Sequence, residues 1–245
     1  LSRHNVVAVG DAENDHAFMS VCGCAVAVAN ALPAVKDGAD LVTAGARGQG
    51  VIELVDRLVE SDLADVVRAS PRHLVTIGVD ADDAPLLLDP VMASILVAGV
   101  SGGGKSTKVA GILEQLAAQD FQYVVIDPEG DYAELEGAVV LGNAGQPPQV
   151  SEAMEILNHL GGNLVLNLLG VELGDRPDFL AGLLPELCRL RVRTGRPHWI
   201  VIDEAHHMLP AARTDAAIGL PGELRASILV TVHPEQVARE ALALV

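Results

Sequence analysis

The sequence has few aromatic residues and few cysteines, and each shortage excludes a class of protein. Aromatics number three Phe, two Tyr and one Trp among 245 residues, although half of the chain is apolar. The apolar half therefore consists mostly of aliphatic side chains, which suits α/β layers. Three cysteines are too few for a disulfide framework or a four-cysteine zinc site. No run of about 18 apolar residues and no signal segment occurs, so we expect a cytoplasmic protein without membrane insertion.

Basic residues are also scarce. The chain has 16 Lys and Arg against 33 Asp and Glu, which gives a formal net charge of −17. Affinity for nucleic acid comes mainly from basic side chains that displace counterions from the phosphates. The charge therefore argues against nucleic acid as a partner unless a basic surface is local.

The order of apolar runs predicts two α/β units. Residues 6–61 alternate short apolar runs with helical stretches in a βαβαβ order and end in an amphipathic helix. We predict a partial Rossmannoid, three-layer unit over residues 1–62, a polar linker over 63–72, and a second unit over 73–245 that opens with a hairpin. Near-continuous apolar runs then predict parallel strands covered on both faces. These runs are residues 95–98, 123–126, 164–168, 199–202 and 228–232.

A glycine-rich loop, Gly-Val-Ser-Gly-Gly-Gly-Lys-Ser at residues 99–106, follows a predicted strand and precedes a predicted helix. Glycines let successive backbone N–H groups point into one anion-binding nest, and the helix dipole points at the same place. Lys105 adds charge, and the Ser106 hydroxyl is placed to ligate Mg²⁺. We therefore predict a P-loop that binds ATP with Mg²⁺. Its predicted nucleotide-binding residues are Gly99, Ser101, Gly102, Gly103, Gly104, Lys105, Ser106 and Thr107.

A second acidic motif ends the apolar run at residues 199–202. This Walker B pattern predicts that Asp203 holds Mg²⁺ through its water shell and that Glu204 orients or deprotonates the attacking water, with Lys105 as the other catalytic residue. An acidic helix N-cap after a buried strand is the alternative. His206 and His207 have no third ligand at metal spacing, so we expect them to cap the helix or face solvent.

The run Val-Val-Ile-Asp-Pro-Glu-Gly-Asp-Tyr at residues 124–132 lies on the strand predicted after the P-loop helix. With the P-loop, the Walker B pattern and the hairpin, it makes residues 74–245 similar to the HerA/FtsK class of hexameric P-loop ATPases. The resemblance implies a RecA-like domain with a mainly parallel sheet, ATP hydrolysis and a homo-hexamer. It also implies that Asp127, Glu129 and Asp131 lie at the nucleotide edge, although a turn set by Pro and Gly explains the same residues equally well.

The last predicted strand departs from the family pattern. In the resembled family a polar residue, often Gln, lies two residues before a proline and senses the γ-phosphate, and here that residue is Val232. Thr231 and His233 are the polar substitutes. Coupling of hydrolysis to motion is therefore in doubt, whereas nucleotide binding is not. An arginine finger would come from a neighbouring subunit; Arg213 and Arg225 are candidates, and ordinary surface exposure is the alternative for both.

Residues 6–15, Val-Val-Ala-Val-Gly-Asp-Ala-Glu-Asn-Asp, put carboxylates in the turn after a strand, where they can seat Mg²⁺. With the residues that follow to about position 61, they resemble the C-terminal end of haloacid-dehalogenase-type phosphatases of the Cof-like branch. The resemblance implies that Asp11 ligates Mg²⁺, Asp15 supports or joins it, Asn14 orients the site, and Asn30 faces the phosphate of a small-molecule substrate. An Asx-rich turn that caps a helix is the alternative.

Such phosphatases also use an Asp-x-Asp nucleophile and a lysine upstream of this turn. We expect both before Leu1, because the chain starts without Met close to its first strand and reads as a fragment. Asp80-Ala-Asp82 mimics the nucleophile, but Asp-Ala follows it instead of Gly-Thr. We therefore expect half a phosphatase site and no dephosphorylation by this chain.

Three functions stay open. The first is an ATPase joined to the phosphatase segment, the second is an ATP-gated regulator with little turnover, and the third is a DNA-translocating motor, which the negative charge and the few aromatics oppose.

Overall fold

The chain divides into two units in the computed structural model, Leu1–His73 and Leu74–Val245. The structure describes residues 2–69, 72–159, 162–213 and 224–245. Each unit has its own sheet and its own buried clusters of apolar side chains.

The first unit is a parallel sheet with helices on both faces. Its strands are β1 (Val7–Gly10), β2 (Cys24–Ala27) and β3 (Leu41–Val42), in that spatial order. Its helices are α1 (His16–Met19), α2 (Pro33–Asp37), α3 (Gly48–Ser61) and α4 (Ala64–Ala69). Side chains of β2 alternate between the two faces, as a pleated strand requires: Ala25 and Ala27 pack with Met19, and Val26 packs with Leu54. The predicted three-layer arrangement is confirmed.

The predicted linker contains structure of its own. Helix α4 lies within it, and Leu63 and Val66 are buried in the core of the first unit. Arg72 pairs with Asp40 at 3.2 Å from Nε to Oδ2, and it donates to backbone carbonyls of the same unit. Two apolar side chains three residues apart can anchor one turn of helix on the core. The mostly polar composition of the segment hides this pair. Residues 70 and 71 lie outside the described part of the chain.

The second unit is built on a parallel sheet with six strands in the described residues. Their spatial order is β6 (Ile95–Ala98), β11 (Ser227–Thr231), β10 (Trp199–Ile202), β7 (Tyr123–Asp127), β9 (Asn163–Asn167) and β8 (Ala138–Leu141). The antiparallel hairpin of β4 (Val75–Val79) and β5 (Pro85–Leu88) precedes β6, as predicted. The helices are α5 (Lys105–Ala118), α6 (Val150–Asn158), α7 (Arg176–Thr194), α8 (Ala205–Met208) and α9 (Arg239–Leu242).

Burial explains which strands the sequence predicts. Every residue of β7, β10 and β11 is buried, so their sequences are nearly continuous apolar runs. Strand β8 lies at the sheet edge with Val139 and Val140 exposed, and the sequence did not predict it. No helix in the described ranges has both the length and the apolar character needed to cross a membrane.

Candidate functional site

The P-loop connects β6 to α5, and its glycines adopt a backbone that other residues avoid. Gly102 and Gly104 have φ of 71° and 78°, in the left-handed region that favours glycine. Gly104 is the N-cap of α5, so the helix begins at Lys105 and its first N–H groups face the loop. The Nζ of Lys105 donates to the carbonyl of Val100 at 3.0 Å, which holds the ammonium group over the loop. The loop therefore has the geometry of an anion-binding nest.

A cavity of about 550 Å³ opens at this loop. Six of the eight predicted nucleotide-binding residues line it, whereas Gly99 and Gly103 do not. Those two residues make hydrogen bonds of the backbone instead: Gly99 N donates to Thr231 O at 3.3 Å, and Gly103 N donates to Val100 O at 3.2 Å. The polar lining of the cavity includes Ser101, Lys105, Ser106, Thr107, Glu114, Glu129, Asp131, Glu134 and Glu204.

Asp127 ends β7 and organises the loop that follows it. Its carboxylate is fully buried and accepts three backbone N–H groups, from Gly130 at 2.7 Å, Asp131 at 3.1 Å and Tyr132 at 3.0 Å. Burial raises the pKa of Asp127, although the three hydrogen bonds act in the opposite direction. Asp127 is therefore the cap of a turn, and the turn carries Asp131 to the cavity.

Asp203 and Glu204 follow β10 at the same edge of the sheet. Asp203 is 3 % exposed, and burial, reinforced by the nearby carboxylates of Glu204, Asp127 and Asp131, raises its pKa to about 7. Its Oδ1 accepts the backbone N–H of Glu204 at 2.9 Å. Glu204 lines the cavity with φ at 44°, which is an unusual backbone for a side chain with a Cβ and typical of functional sites. Burial and the charge of Glu129 raise the pKa of Glu204 as well.

His206 is buried and contacts the carboxylate of Glu204. The sequence did not predict this contact. His206 is 6 % exposed, with Nδ1 at 3.2 Å from Oε2 of Glu204 and at 3.0 Å from Oγ1 of Thr231. Burial, with the neighbouring rings of His207 and His233, lowers the pKa of His206 to about 4. The ring is therefore neutral near pH 7, and only a proton on Nδ1 lets it donate to the carboxylate. The available signal was a histidine two residues after the acid, on the first turn of a helix that follows a buried strand.

The oxygen atoms around Ser106 are of the kind that Mg²⁺ prefers as ligands. The Oγ of Ser106 donates to Oδ2 of Asp131 at 2.7 Å, and Asp203 is close enough to Asp131 for their charges to interact. In the described residues no three His, Cys, Asp or Glu side chains are arranged to hold a metal by themselves. Mg²⁺ bound with a nucleotide needs no such cage, because phosphate oxygens and water supply most of its ligands. The clustered carboxylates, with raised pKa values, supply the negative charge that a cation would relieve.

The two candidate arginine fingers are engaged elsewhere in the chain. Nη1 of Arg213 lies 2.7 Å from Oδ1 of Asp178, and Nη1 of Arg225 lies 3.7 Å from the sulfur of Met92. Neither lines the cavity. A role in a neighbouring subunit stays a prediction.

The predicted half-site of the first unit gathers at the end of β1. Oδ2 of Asp15 accepts the backbone N–H groups of Asp11 at 2.8 Å and Ala12 at 3.1 Å, and these bonds lower the pKa of Asp15. Its Oδ1 accepts from Nδ2 of Asn14 at 3.1 Å. Asp15 therefore caps the turn, as the alternative interpretation has it. Asp11 is exposed with its Oδ2 at 3.4 Å from Nδ2 of Asn30, so these two residues do come together. Their roles toward metal and phosphate stay predictions.

The second unit thus combines a parallel six-stranded sheet in the described residues with a P-loop between β6 and α5. Residues 75–179 match the family model described as "Helicase HerA, central domain", and residues 1–55 match that of "haloacid dehalogenase-like hydrolase". The resemblance predicted from the sequence is thus confirmed for both segments. Both families are hydrolases, as predicted.

Curated relatives match the first segment. Phosphoglycolate phosphatase 2 of Saccharolobus solfataricus is 42% identical over 62 residues, which are 25% of this chain and 27% of that protein. Phosphoglycolate phosphatase of Methanothermobacter thermautotrophicus is 46% identical over 59 residues, which are 24% of this chain and 27% of that protein. The chain thus spans about a quarter of the length of these relatives.

Two solved structures are similar to this chain. The genome packaging NTPase B204 from Sulfolobus turreted icosahedral virus 2, in complex with ATP-gammaS, is 16% identical, with a TM-score of 0.46 over 64% of this chain and 72% of that one. VirB4 of Thermoanaerobacter pseudethanolicus is 14% identical, with a TM-score of 0.47 over 69% of this chain and 81% of that one.

Proposed function

We propose that the second unit binds ATP with Mg²⁺ and hydrolyses it. The observation that carries this proposal is one cavity lined by the P-loop side chains Lys105 and Ser106 on one side and by Glu204 and Asp131 on the other. A triphosphate needs the donors of the first pair, and the attacking water needs an acceptor from the second.

The chemistry follows from the side chains present. Lys105 and the N–H groups at the start of α5 bind phosphate oxygens. Ser106 would ligate Mg²⁺ and Asp203 would hold it through its water shell, and the ion would neutralise charge on the phosphates. Glu204 accepts a proton from water as the water oxygen bonds to the γ-phosphorus. The bond to the β,γ-bridging oxygen breaks, and ADP and phosphate leave. The raised pKa of Glu204 favours proton acceptance.

Steady-state ATP hydrolysis tests the proposal. Lys105→Ala and Glu204→Gln should each lower kcat/KM by about 10²-fold or more, because each removes a group that acts in the transition state. Glu204→Gln should keep ATP affinity within a few fold, whereas Lys105→Ala should lose it. Exposed residues provide matched controls, Glu152→Gln on α6 and Arg189→Ala on α7, and both should keep the wild-type rate.

Two other functions give different results in the same assay. ATP binding without turnover in the wild type would favour an ATP-gated regulator that controls a phosphatase. Stimulation of ATP hydrolysis by DNA, lost at higher salt, would favour a DNA-translocating motor. We favour simple hydrolysis over the motor because the net charge of −17 repels a polyphosphate surface.

Assembly is part of the proposal. The HerA/FtsK resemblance implies a homo-hexamer, in which Arg213 or Arg225 of one subunit would complete the site of the next. Mass measurement in solution with and without Mg²⁺ and ATP tests it, since a monomer under all conditions would contradict the ring.

For the first unit we propose the magnesium-binding end of a phosphatase-type site, with Asp11 and Asn30 facing a phosphorylated small molecule. Support comes from the match to phosphoglycolate phosphatases and from the contact of Asn30 with both Asp11 and the backbone N–H of Arg47. We expect this chain to leave phosphoglycolate intact, because the Asp80 carboxylate of the only Asp-x-Asp sequence caps a hairpin turn. Turnover of phosphoglycolate would contradict this expectation.

A further inference from the structure

Tyr132 is a buried residue whose hydroxyl the proposed chemistry does not use. The side chain is 2 % exposed and lines the cavity together with Ser106 and Asp131. Its hydroxyl oxygen has no hydrogen-bond partner of accepted geometry in the described residues. Burying a hydroxyl without a partner costs stability, and phenylalanine would fill nearly the same volume without that cost. The hydroxyl therefore has an unused capacity for a hydrogen bond beside a ligand site.

Two kinds of contact fix the position of this side chain. The backbone N–H of Tyr132 donates to Oδ2 of Asp127 at 3.0 Å, which ties the residue to the end of β7. The ring belongs to the buried apolar cluster that α5 shares with the sheet, together with Val109, Leu113 and Val201. Because the ring is rigid and carries the oxygen at its end, fixing the ring also fixes the hydroxyl.

The groups around the hydroxyl include the residues assigned to Mg²⁺. Burial raises the pKa of Tyr132, and the charges of Asp203, Asp127 and Asp131 act in the same direction, so all three carboxylates lie within electrostatic range of the ring oxygen. The Ser106 hydroxyl is near enough to act in the opposite direction, and it donates its own proton to Asp131 at 2.7 Å. The hydroxyl of Tyr132 thus lies at the same corner of the cavity as the predicted metal ligands.

The cavity has more acidic than basic side chains. Among the described residues that line it, Lys105 is the one basic residue, against five carboxylates, those of Glu114, Glu129, Asp131, Glu134 and Glu204. A triphosphate adds further negative charge, so its binding here needs a divalent cation. Mg²⁺ dehydrates reluctantly and keeps several waters when it binds with a nucleotide. Each of these waters has two hydrogens that need acceptors.

We propose that the hydroxyl oxygen of Tyr132 accepts a hydrogen bond from the water shell of the bound Mg²⁺ and thereby raises the affinity of the site for the ion. The phenol keeps its proton near pH 7, since its ordinary pKa is about 10, so it acts on the ion through water and not as a direct ligand. Tyr132 is then a positioning residue that does not touch the reacting atoms. The inference rests on the proposed binding of ATP with Mg²⁺ and adds a residue to it.

Calorimetric binding of a non-hydrolysable ATP analogue at a series of Mg²⁺ concentrations tests this role without turnover. Tyr132→Phe should raise the Mg²⁺ concentration for half-maximal binding by about 10-fold, as the loss of groups that hold metal ligands does elsewhere. At saturating Mg²⁺ the variant should bind the analogue as tightly as the wild type.

Tyr123→Phe is the matched control. It removes the other tyrosine hydroxyl of the chain, which is also buried without a partner in the described residues but does not line the cavity. The control should need the same Mg²⁺ concentration as the wild type.

Melting of the protein without nucleotide or Mg²⁺ separates this role from a structural one. The hydroxyl of Tyr132 has no hydrogen bond to lose in the described residues, so Tyr132→Phe should keep or raise the Tm. A fall in Tm of more than about 4 °C would show that the hydroxyl stabilises the fold itself, and it would overturn the proposal.

Other results separate the failures. If Tyr132→Phe weakens binding by the same factor at every Mg²⁺ concentration, the hydroxyl acts on the phosphates and its role at the ion is wrong. If the variant needs no more Mg²⁺ than the wild type, the inference is overturned and the proposed ATP binding stands. If the wild type fails to bind the analogue, or binds it equally well without Mg²⁺, the proposed function fails first and the inference fails with it.

Discussion

Asp127 offers a sharp test because its alternative roles predict opposite results. As a turn cap it stabilises the fold, and as a ligand at the nucleotide edge it affects binding. The change Asp127→Asn keeps one oxygen, which can still accept from Gly130 and Asp131, and replaces the other with an NH₂ group. That group faces the N–H of Tyr132, which Oδ2 accepts at 3.0 Å in the wild type.

The expected loss of stability follows from one buried N–H group, that of Tyr132, which loses its acceptor in the variant. Leaving a buried donor unsatisfied costs about 1–3 kcal/mol, so we expect Asp127→Asn to lower the free energy of unfolding by about 2 kcal/mol. For a unit of this size that is a fall in Tm of about 4–8 °C. Asp127→Ala leaves all three N–H groups without the carboxylate and should cost at least about 3 kcal/mol.

Thermal and urea unfolding, followed by circular dichroism, measure the effect, with Asp131→Asn as the matched control on the same loop. Asp131 is exposed and bonds the Ser106 hydroxyl, so its variant should keep stability within about 0.5 kcal/mol and change the Mg²⁺ concentration needed for half-maximal ATP hydrolysis. The cap assignment would be refuted by an Asp127→Asn protein that melts like the wild type and yet fails to bind ATP with Mg²⁺.

Two further predictions concern buried contacts. Because the fold lowers the pKa of His206 from 6.5 to about 4, the unfolded chain takes up that proton first as the pH falls. Wild-type stability in urea unfolding should therefore fall by on the order of 2 kcal/mol more than that of His206→Gln between pH 6.5 and 4. Parallel curves for the two proteins would contradict this. Gly10→Ala puts a Cβ at 2.5 Å from Cβ of Asp15, so it should lower thermal stability by about 1–3 kcal/mol, whereas Gly48→Ala meets nothing within 4 Å and should not. Equal Tm values for these two variants would contradict the prediction, because they would show that the turn after β1 can move to accept the Cβ without loss of stability.

The sequence was sufficient for the features that depend on local order. A P-loop is a strand, a nest and a helix in succession, so its spacing alone located Gly102, Lys105 and Ser106 in one cavity. Parallel strands buried on both faces need continuous apolar runs, which predicted the central strands of the sheet. Edge strand β8 does not need a continuous apolar run, because one side of the strand faces solvent. Its short run of Val residues was too short to predict a strand.

Which of several similar side chains makes a given contact could not be predicted in the same way. The turn capped by Asp127 and the nucleotide edge have the same sequence pattern, and only the three hydrogen bonds distinguish the carboxylate that caps from Asp131, which reaches the cavity. The predicted linker illustrates the same limit, because the burial of Leu63 depends on a partner surface, Leu54 of α3, that composition does not report.

The last strand changes the argument drawn from Val232. A polar residue at that position was expected to sense the γ-phosphate, and valine argued for weak coupling of hydrolysis to motion. Thr231, one residue earlier, ends β11 with its hydroxyl against Nδ1 of His206 and its carbonyl accepting the N–H of Gly99 at the start of the P-loop. His206 also contacts Glu204, so its Nδ1 lies within hydrogen-bond distance of both the Glu204 carboxylate and the Thr231 hydroxyl.

In the proposed hydrolysis, a shift of Glu204 on departure of the γ-phosphate would act on the contact between His206 and Thr231. The side chain of Val232 is not part of the contacts that join Glu204, His206 and Thr231. The absence of a polar residue there is thus a weaker argument against coupled hydrolysis than the sequence alone suggests, because the neutral imidazole of His206 supplies the polar link through a different residue.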